Sequence, residues 1–356
     1  MSKITIAIDA MGGDKAPDMV VAGMAQARIL YPETRFLLFG DEACLNGLLD
    51  EHDALKPAVD LRHTDKSIAG DDKPSQALRR GRDSSMGLAI QAVKDGEADV
   101  AISAGNTGAL MALAKFILRT MPGIDRPALI SPVPTLKGES VVLDLGANVE
   151  CDAGNLAQFA VMGSAYVRTV LGQSRPSVAL LNVGVEELKG KDSIREAAEL
   201  LRQADHLPIE FTGFVEGDGI MAGEADVIVT DGFTGNVALK TLEGTAKLLG
   251  QLIERAFRSS RSSKLGYLLS RQGFQSLRDH LDPNNHNGGV FLGLNGLVVK
   301  SHGGANANGF ATAISTAIDM AGNDLIRLIR EDLENIPHLD ETLDGAEPVQ
   351  SSAQAS

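Results

Sequence analysis

Short apolar, β-branched runs alternate along this chain with longer stretches of helical period. Ile4–Asp9, Arg35–Phe39, Asp99–Ser103, Ser140–Asp144, Ser177–Asn182, Ala225–Thr230 and Gly296–Lys300 each read as a strand. Their apolar residues run on without strict alternation, as in strands buried on both faces. Helical spacing predicts helices over Asp18–Leu30, Ala43–Glu51, Ser75–Gly81, Ser84–Asp95, Thr107–Leu118, Leu156–Leu171, Asp192–Ala204 (capped by Asp192 or Ser193), Val237–Phe257 and Phe310–Asp332. Repeated strand-then-helix order implies an α/β fold with a largely parallel, doubly wound sheet covered on both faces. Two stretches break the pattern. Residues 258–287 are rich in Ser, Arg and Leu and end in a turn at Asp282-Pro283-Asn284-Asn285. Residues 336–356 are acidic and polar, and are expected to be disordered.

The length of 356 residues fits one large α/β catalytic unit over 1–335, divisible into two lobes, with 255–287 as a protruding amphipathic helical segment. The two cysteines, Cys44 and Cys151, are far apart and lack metal-ligand spacing, so free thiols in a reducing compartment are expected. No apolar run reaches the ~20 residues that would span a bilayer, and the apolar start meets Asp9 too early for a secretory signal. A cytoplasmic protein is expected. The net charge of −14 argues against nucleic acid as a partner. It also means that an anionic ligand has to be held by local features against the global field.

Glycine is the most informative residue, with 38 copies. Polar glycine-bearing turns follow strand after strand: Asp9–Asp14, Ser103–Gly108, Asp144–Asn148, Asn182–Gly184, Asp231–Asn236 and Ser301–Asn306. Beyond the carboxyl end of a parallel strand, such a turn aims unpaired N–H groups and a positive helix end at a ligand. Glycine lets the backbone come close. The Asn, Thr and Ser beside the glycines are also ordinary helix caps, and Asn106, Thr107, Asn148 and Asn236 each suit that role. Both readings are compatible, since a cap that aims N–H groups inward builds an anion site. The phosphate-binding loop, the dinucleotide fingerprint and the Gly-x-Ser-x-Gly elbow are all missing, and so are His/Cys metal clusters. This points to catalysis by positioning and electrostatics, without cofactor, metal or covalent enzyme intermediate.

Taken in order, these blocks resemble the bacterial phosphate acyltransferase family, the acyl-carrier-protein:phosphate acyltransferases. The resemblance covers roughly residues 4–335. It is carried by Asp9–Asp14, Lys73-Pro74-Ser75-Gln76-Ala77 with Ser84-Ser85-Met86, Ser103–Leu110 and Val141–Glu150. It continues through Leu180–Gly184 with Glu187 and Lys189-Gly190, Asp231–Asn236 with Leu239-Lys240, Leu292-Gly293-Leu294, and Lys300–Gly303. Lys15 and Glu150 are small departures, where an aromatic residue or His, and Asp, are common. The resemblance implies a fold of isopropylmalate dehydrogenase-like and phosphate acetyltransferase-like type, and a homodimer. It implies transfer of a long-chain acyl group from acyl carrier protein to inorganic phosphate, giving an acyl phosphate. That product would pass to a glycerol 3-phosphate acyltransferase in phospholipid synthesis. A coenzyme A-dependent phosphate acetyltransferase, a dehydrogenase and a non-catalytic membrane scaffold are the alternatives.

On this reading Lys189, on a glycine-bearing loop, pairs with phosphate or the oxyanion. His302 protonates the leaving thiol, and Asn236 takes part in catalysis. Asp9, Gly12, Gly13, Ser103, Asn106, Thr107, Asn148 and Thr234 surround the substrates. Asp9, Asp14, Asp144 and Asp231 would repel phosphate and are expected to orient loops. The interrupting segment places Arg261, Lys264 and Arg271 among Leu265, Leu268, Leu269, Phe274 and Leu277. A basic amphipathic stretch on an acidic protein suits a membrane interface or an acidic carrier protein. The bland alternative is a helical hairpin at a dimer contact. In the family this region forms a tip linked to peripheral membrane association, at the inner face of the membrane.

Overall fold

The computed structural model describes residues 3–204, 207–275, 282 and 284–334. The Leu277 expected on the amphipathic face and the tail beyond 335 lie outside them. Among the described residues, eleven strands form one sheet: β1 (Thr5–Asp9), β2 (Arg35–Gly40), β3 (Val59–His63), β4 (Val100–Ser103), β5 (Ala128–Thr135), β6 (Gly138–Leu143), β7 (Ser177–Leu181), β8 (Glu210–Val215), β9 (Val227–Val229), β10 (Gly289–Leu292) and β11 (Leu297–Lys300). Their order is β3-β2-β1-β4-β11-β10-β5-β6-β9-β7-β8.

β3, β2, β1, β4 and β11 pair in parallel, and so do β6, β9, β7 and β8. Between the two groups, the β11–β10, β10–β5 and β5–β6 ladders are antiparallel. The direction therefore reverses three times, and the two parallel groups point toward each other. The register sets where they meet. Lys300 pairs with Gly289, Val290 with Ile130, and Ile130 with Leu143. The end of β11 is thus within about one residue of level with the end of β6. Three inter-strand spacings, about 14 Å, separate them laterally. The turns that follow both groups open onto this one line.

Alternate residues of each strand feed two cores, one on each face. Ile6, Ile8, Ile102, Ile130, Leu143, Leu180 and Val229 pack with the helices Asp18–Leu30, Ala153–Tyr166 and Ala307–Gly322. Ala7, Ala101, Leu129, Val142, Ala179, Ile228 and Val298 pack with Ser85–Lys94, Thr107–Leu118 and the first turns of Gly232–Arg258. This is the doubly wound arrangement that the continuous apolar runs predict.

Four strands escape the periodicity: β3, β5, β8 and β10. β5 reads as non-strand because it carries Pro132 and Pro134. Both residues pair with β6 only, since β10 reaches no further along β5 than Ile130. Proline is tolerated where one side of a strand is an edge. The expected single helix Phe310–Asp332 is two helices, Ala307–Gly322 and Leu325–Glu334. The break falls where Asp324 takes a left-handed φ of 53°. Neither Asp192 nor Ser193 caps its helix. Asp192 is the first helical residue and pairs with Arg195.

Candidate active site

The first group of turns forms one hydrogen-bonded body. Asp9 ends β1 and Ser103 ends the adjacent β4. The Ser103 hydroxyl donates to Asp9 Oδ2 at 2.6 Å and accepts from the Gly105 N–H at 3.0 Å. The Met11 N–H donates to Asp9 Oδ1 at 3.2 Å. Gly12 sits on this junction so closely that a Cβ there would lie 2.5 Å from Asp9 Oδ2 and 2.7 Å from Gly105 N. Gly13, at φ +117°, then turns the chain so that the Asp14 N–H reaches the Gly303 carbonyl at 2.8 Å. That bond ties the first turn to the last. Burial pushes the Asp9 carboxyl up, partly offset by its bonds from Ser103 and the backbone. Asn106 caps the helix Thr107–Leu118, accepting from the Ala109 N–H at 2.9 Å, while its amide donates to the Gly70 carbonyl at 2.7 Å. Thr107 is the first helical residue rather than the cap.

Two groups sharpen this half. Lys300, at the end of β11, donates from Nζ to the carbonyls of Ala104 and Ser301. Burial, helped by nearby Lys240 and partly opposed by Asp14 and Asp9, lowers its pKa to about 8. The His302 N–H donates to Asn287 Oδ1 at 2.9 Å, and its ring Nε2 lies 3.9 Å from Glu243. Burial pushes this imidazole below its ordinary value. Glu243 pulls it back in part, and Lys240, Lys300 and Lys247 push it further down.

The second group is built around Asp144, which is fully buried. Its Oδ1 accepts from the N–H groups of Leu129 at 3.0 Å and Ala147 at 2.9 Å. Its Oδ2 accepts from Asn148 N at 2.6 Å and Asn148 Nδ2 at 2.9 Å. Burial pushes this carboxyl up, and the four donors pull it back. Asn148 is therefore no helix cap. Its amide is spent on Asp144 and the Pro127 carbonyl, and its own carbonyl accepts from the Gly232 N–H at 2.7 Å. The cap of the long helix Gly232–Arg258 is Asp231, which accepts from the Thr234 N–H at 2.7 Å. Burial would raise the Asp231 carboxyl, but the Thr234 bonds and the Lys191 ammonium, 3.0 Å away, outweigh it and hold it low. Asn236 lies inside the helix, beside Gly146. Cys151 is also here. Burial first, then Asp144 and Asp231, pushes its thiol up to about 12, so it stays protonated and is a poor nucleophile.

Lys189 is exposed on the loop between β7 and the next helix. Its N–H donates to the Glu186 carbonyl and its carbonyl accepts from the Asn182 amide. Its side chain leans on Gly184, where a Cβ would lie 3.1 Å from Lys189 Cγ. Lys191, two residues on, is the cation that the fold ties to Asp231.

The helix Gly232–Arg258 joins the two groups. Asn236, Lys240, Glu243 and Lys247 recur at helical spacing on one face. They run from Gly146 in the second group to His302 in the first. Lys240 pairs with Glu243 at 2.9 Å. Asp9, Gly12, Gly13, Ser103, Asn106, Thr107 and His302 thus share one side of the line, and Asn148, Thr234 and Asn236 the other. Lys191, Lys240, Glu243 and Lys300 are the groups that sequence patterning passed over. A lone charge in a loop or helix carries no sign that it is aimed inward, and only the family-like blocks Leu239-Lys240 and Lys300–Gly303 held a hint.

The basic segment stands apart from these turns. Arg261, Lys264, Leu268 and Leu269 lie on the helix Arg261–Leu269, and Arg271 follows it; all are exposed. Phe257, Tyr267 and Phe274 pack together, with centroids 4.5–5.6 Å apart: Tyr267 stacks on Phe274, and Phe257 meets Phe274 edge-on. Among the described residues no helix is long and apolar enough to cross a membrane, and no group of His, Cys, Asp and Glu is placed to hold a metal ion.

The fold is similar to a phosphotransacetylase from Staphylococcus aureus (TM-score 0.58, 17% identity, 90% of this chain and 94% of that one) and one from Streptococcus pyogenes (TM-score 0.59, 17% identity, the same coverage). In sequence the chain is 58% identical over 332 residues to a phosphate acyltransferase of Rhodopseudomonas palustris (93% of this chain, 94% of that protein). It is 54% identical over 342 residues to one of Rhodospirillum rubrum (96% and 98%). A family model described as "Fatty acid synthesis protein" matches residues 4–328. With nearly the whole described chain inside that match, the protein belongs to the fatty acid synthesis protein family, among relatives named phosphate acyltransferase.

Proposed function

We propose that this chain transfers a long-chain fatty acyl group from acyl carrier protein to inorganic phosphate, and that the reaction takes place where the two groups of turns face each other. The observation that carries this reading is the meeting of the opposed half-sheets on one line, with cations on both sides: Lys300 beside Lys240 on one, and Lys191, held by Asp231, on the other. A small dianion between them gains charge partners that the −14 net charge of the chain otherwise denies it.

A phosphate oxygen attacks the thioester carbon, forming the new O–C bond and a tetrahedral oxyanion. The C–S bond then breaks, giving acyl phosphate and the carrier thiolate, which takes up a proton. Phosphate is already nucleophilic, so the demand on the protein is positioning and charge stabilisation. Lys189 is our candidate for the oxyanion, and Asn236, Thr234 and Asn148 orient the reactants. Asp9, Asp144 and Asp231 act on the turns, because their oxygens are occupied by donors. His302, held low by burial, is largely neutral near pH 7 and a weak source of the proton; Lys300, at about 8, is better matched.

The finer parts of the reading have their own support. Phe233, Val237, Leu248 and Leu252 make an exposed apolar stripe along the long helix, which suits the contact of a homodimer. Leu268 and Leu269 are 64% and 81% exposed beside Arg261, Lys264 and Arg271. That pattern suits peripheral docking on the anionic inner face of the membrane, close to a glycerol 3-phosphate acyltransferase that consumes the product. The test is incubation with palmitoyl carrier protein and phosphate, followed by detection of acyl phosphate. Absence of the product refutes the reading. Equal turnover of palmitoyl coenzyme A refutes the carrier-protein assignment.

A further inference from the structure

A groove of about 730 Å³ runs along the long helix, starting at the reaction line. Its helix wall is Leu242, Glu243, Ala246, Gly250, Ile253 and Phe257, and its floor is Ser131–Pro134 of β5. Among the described residues, no strand covers this stretch of β5 on the β10 side, and Pro132 and Pro134 have no N–H to offer. His302 and Glu243 close one end, and Phe257, Tyr267 and Phe274 the other, with Arg258 and Lys264 at the rim. Of the charged lining residues, Glu243 pairs with Lys240 and Glu254 with Arg258, while Lys247, Lys264 and Asp282 leave polar points along an otherwise apolar wall. From Glu243 to Phe257 is fourteen residues of helix, about 21 Å at 1.5 Å per residue.

We infer that this groove holds the hydrocarbon of the acyl group, with the carbonyl end at His302 and the methyl end at the aromatic triplet. This rests on the acyltransferase reading above and names the subsite that selects the substrate. The length supports it: a full-length membrane fatty chain spans one leaflet, about 15 Å or half of a ~30 Å hydrocarbon core. The groove accommodates such a chain from the reaction line outward. A second copy of this chain is the rival occupant, because the exposed stripe lies on the same helix.

Gly250 offers a clean test. It lines the groove, and a Cβ there would meet nothing within 4 Å among the described residues, so a larger side chain enters open space rather than the core. Gly250→Phe should block the groove half-way along. Each buried methylene is worth about fourfold in affinity, so excluding several should lower kcat/KM for the hexadecanoyl carrier protein at least about thirtyfold. The hexanoyl thioester should change by less than about threefold. Equal losses on both substrates, no loss on either, or a shift in oligomeric state with uniform loss would overturn the inference. A second measurement is independent of catalysis. The chain has no Trp, so Phe257→Trp supplies a single fluorophore at the far end. Its emission should be quenched saturably by a stearate spin-labelled near its methyl end, and competed by palmitate but not by hexanoate. Quenching without saturation overturns the groove. Saturable quenching together with no acyl phosphate from the wild type overturns the reaction and leaves the groove standing.

Discussion

Lys300 should place a descending limb in the pH profile. Its pKa is lowered from 10.5 to about 8 because its ammonium is desolvated beside Lys240, with Asp14 and Asp9 compensating only in part. At pH 7 about nine-tenths of the enzyme carries the proton, and at pH 9 about one-tenth. If the charge at Lys300 is needed, kcat/KM for phosphate should fall roughly tenfold over that interval. Lys300→Arg keeps the charge well above pH 10 and should remove the limb, whatever it does to the absolute rate. Lys300→Met should be slow and flat. Stability should move in the opposite sense. Because the folded state binds the proton more weakly than the unfolded chain, the free energy of unfolding should rise between pH 8 and 10.5, by up to about 3 kcal/mol. Urea midpoints at pH 7.5 and 10 read this directly, compared with Lys300→Met. A wild-type rate that stays flat to pH 9.5, or a limb that survives unchanged in Lys300→Arg, refutes the assignment.

Lys189→Ala should cut turnover by orders of magnitude while the thermal midpoint stays within a degree or two; near-normal turnover removes its role. Lys191→Ala should weaken phosphate binding and also loosen the loop that Lys191 ties to Asp231, so its KM should rise more than its kcat falls. Gly235→Ala places a Cβ 2.0 Å from the Asp144 carbonyl oxygen. An overpacking cost of about 1–3 kcal/mol should lower the melting temperature by several degrees, and an unchanged melting curve would contradict the packing of the second turn group. Leu268→Glu with Leu269→Glu should abolish co-flotation with anionic liposomes while sparing activity on soluble carrier protein, and unchanged flotation counts against the membrane contact.

Much of this molecule is written locally. The strand-helix alternation is legible because buried strands need continuous apolar runs, as in Ile4–Asp9 and Asp99–Ser103. The turns are legible because few residues besides Gly tolerate the backbone of Gly13, and because Asn106 offers the short side chain that caps a helix, whereas the cap of the long helix is Asp231 and not the Asn236 that its composition suggested. Residues whose role depends on their own few neighbours could be found from the chain itself. What the tertiary structure decided is set by pairings across long sequence separations. The reversal of direction between the two parallel groups rests on β5 and β10, which local pattern hides: one carries two prolines and the other is four residues long. Without their register, nothing brings Lys300 level with Leu143, or carries Glu243 along the long helix to His302. The same uncovered edge of β5 makes the groove. Gly, Asn and Asp declare a turn because their conformational preferences are intrinsic. A lysine or a glutamate declares nothing until the fold chooses what it faces.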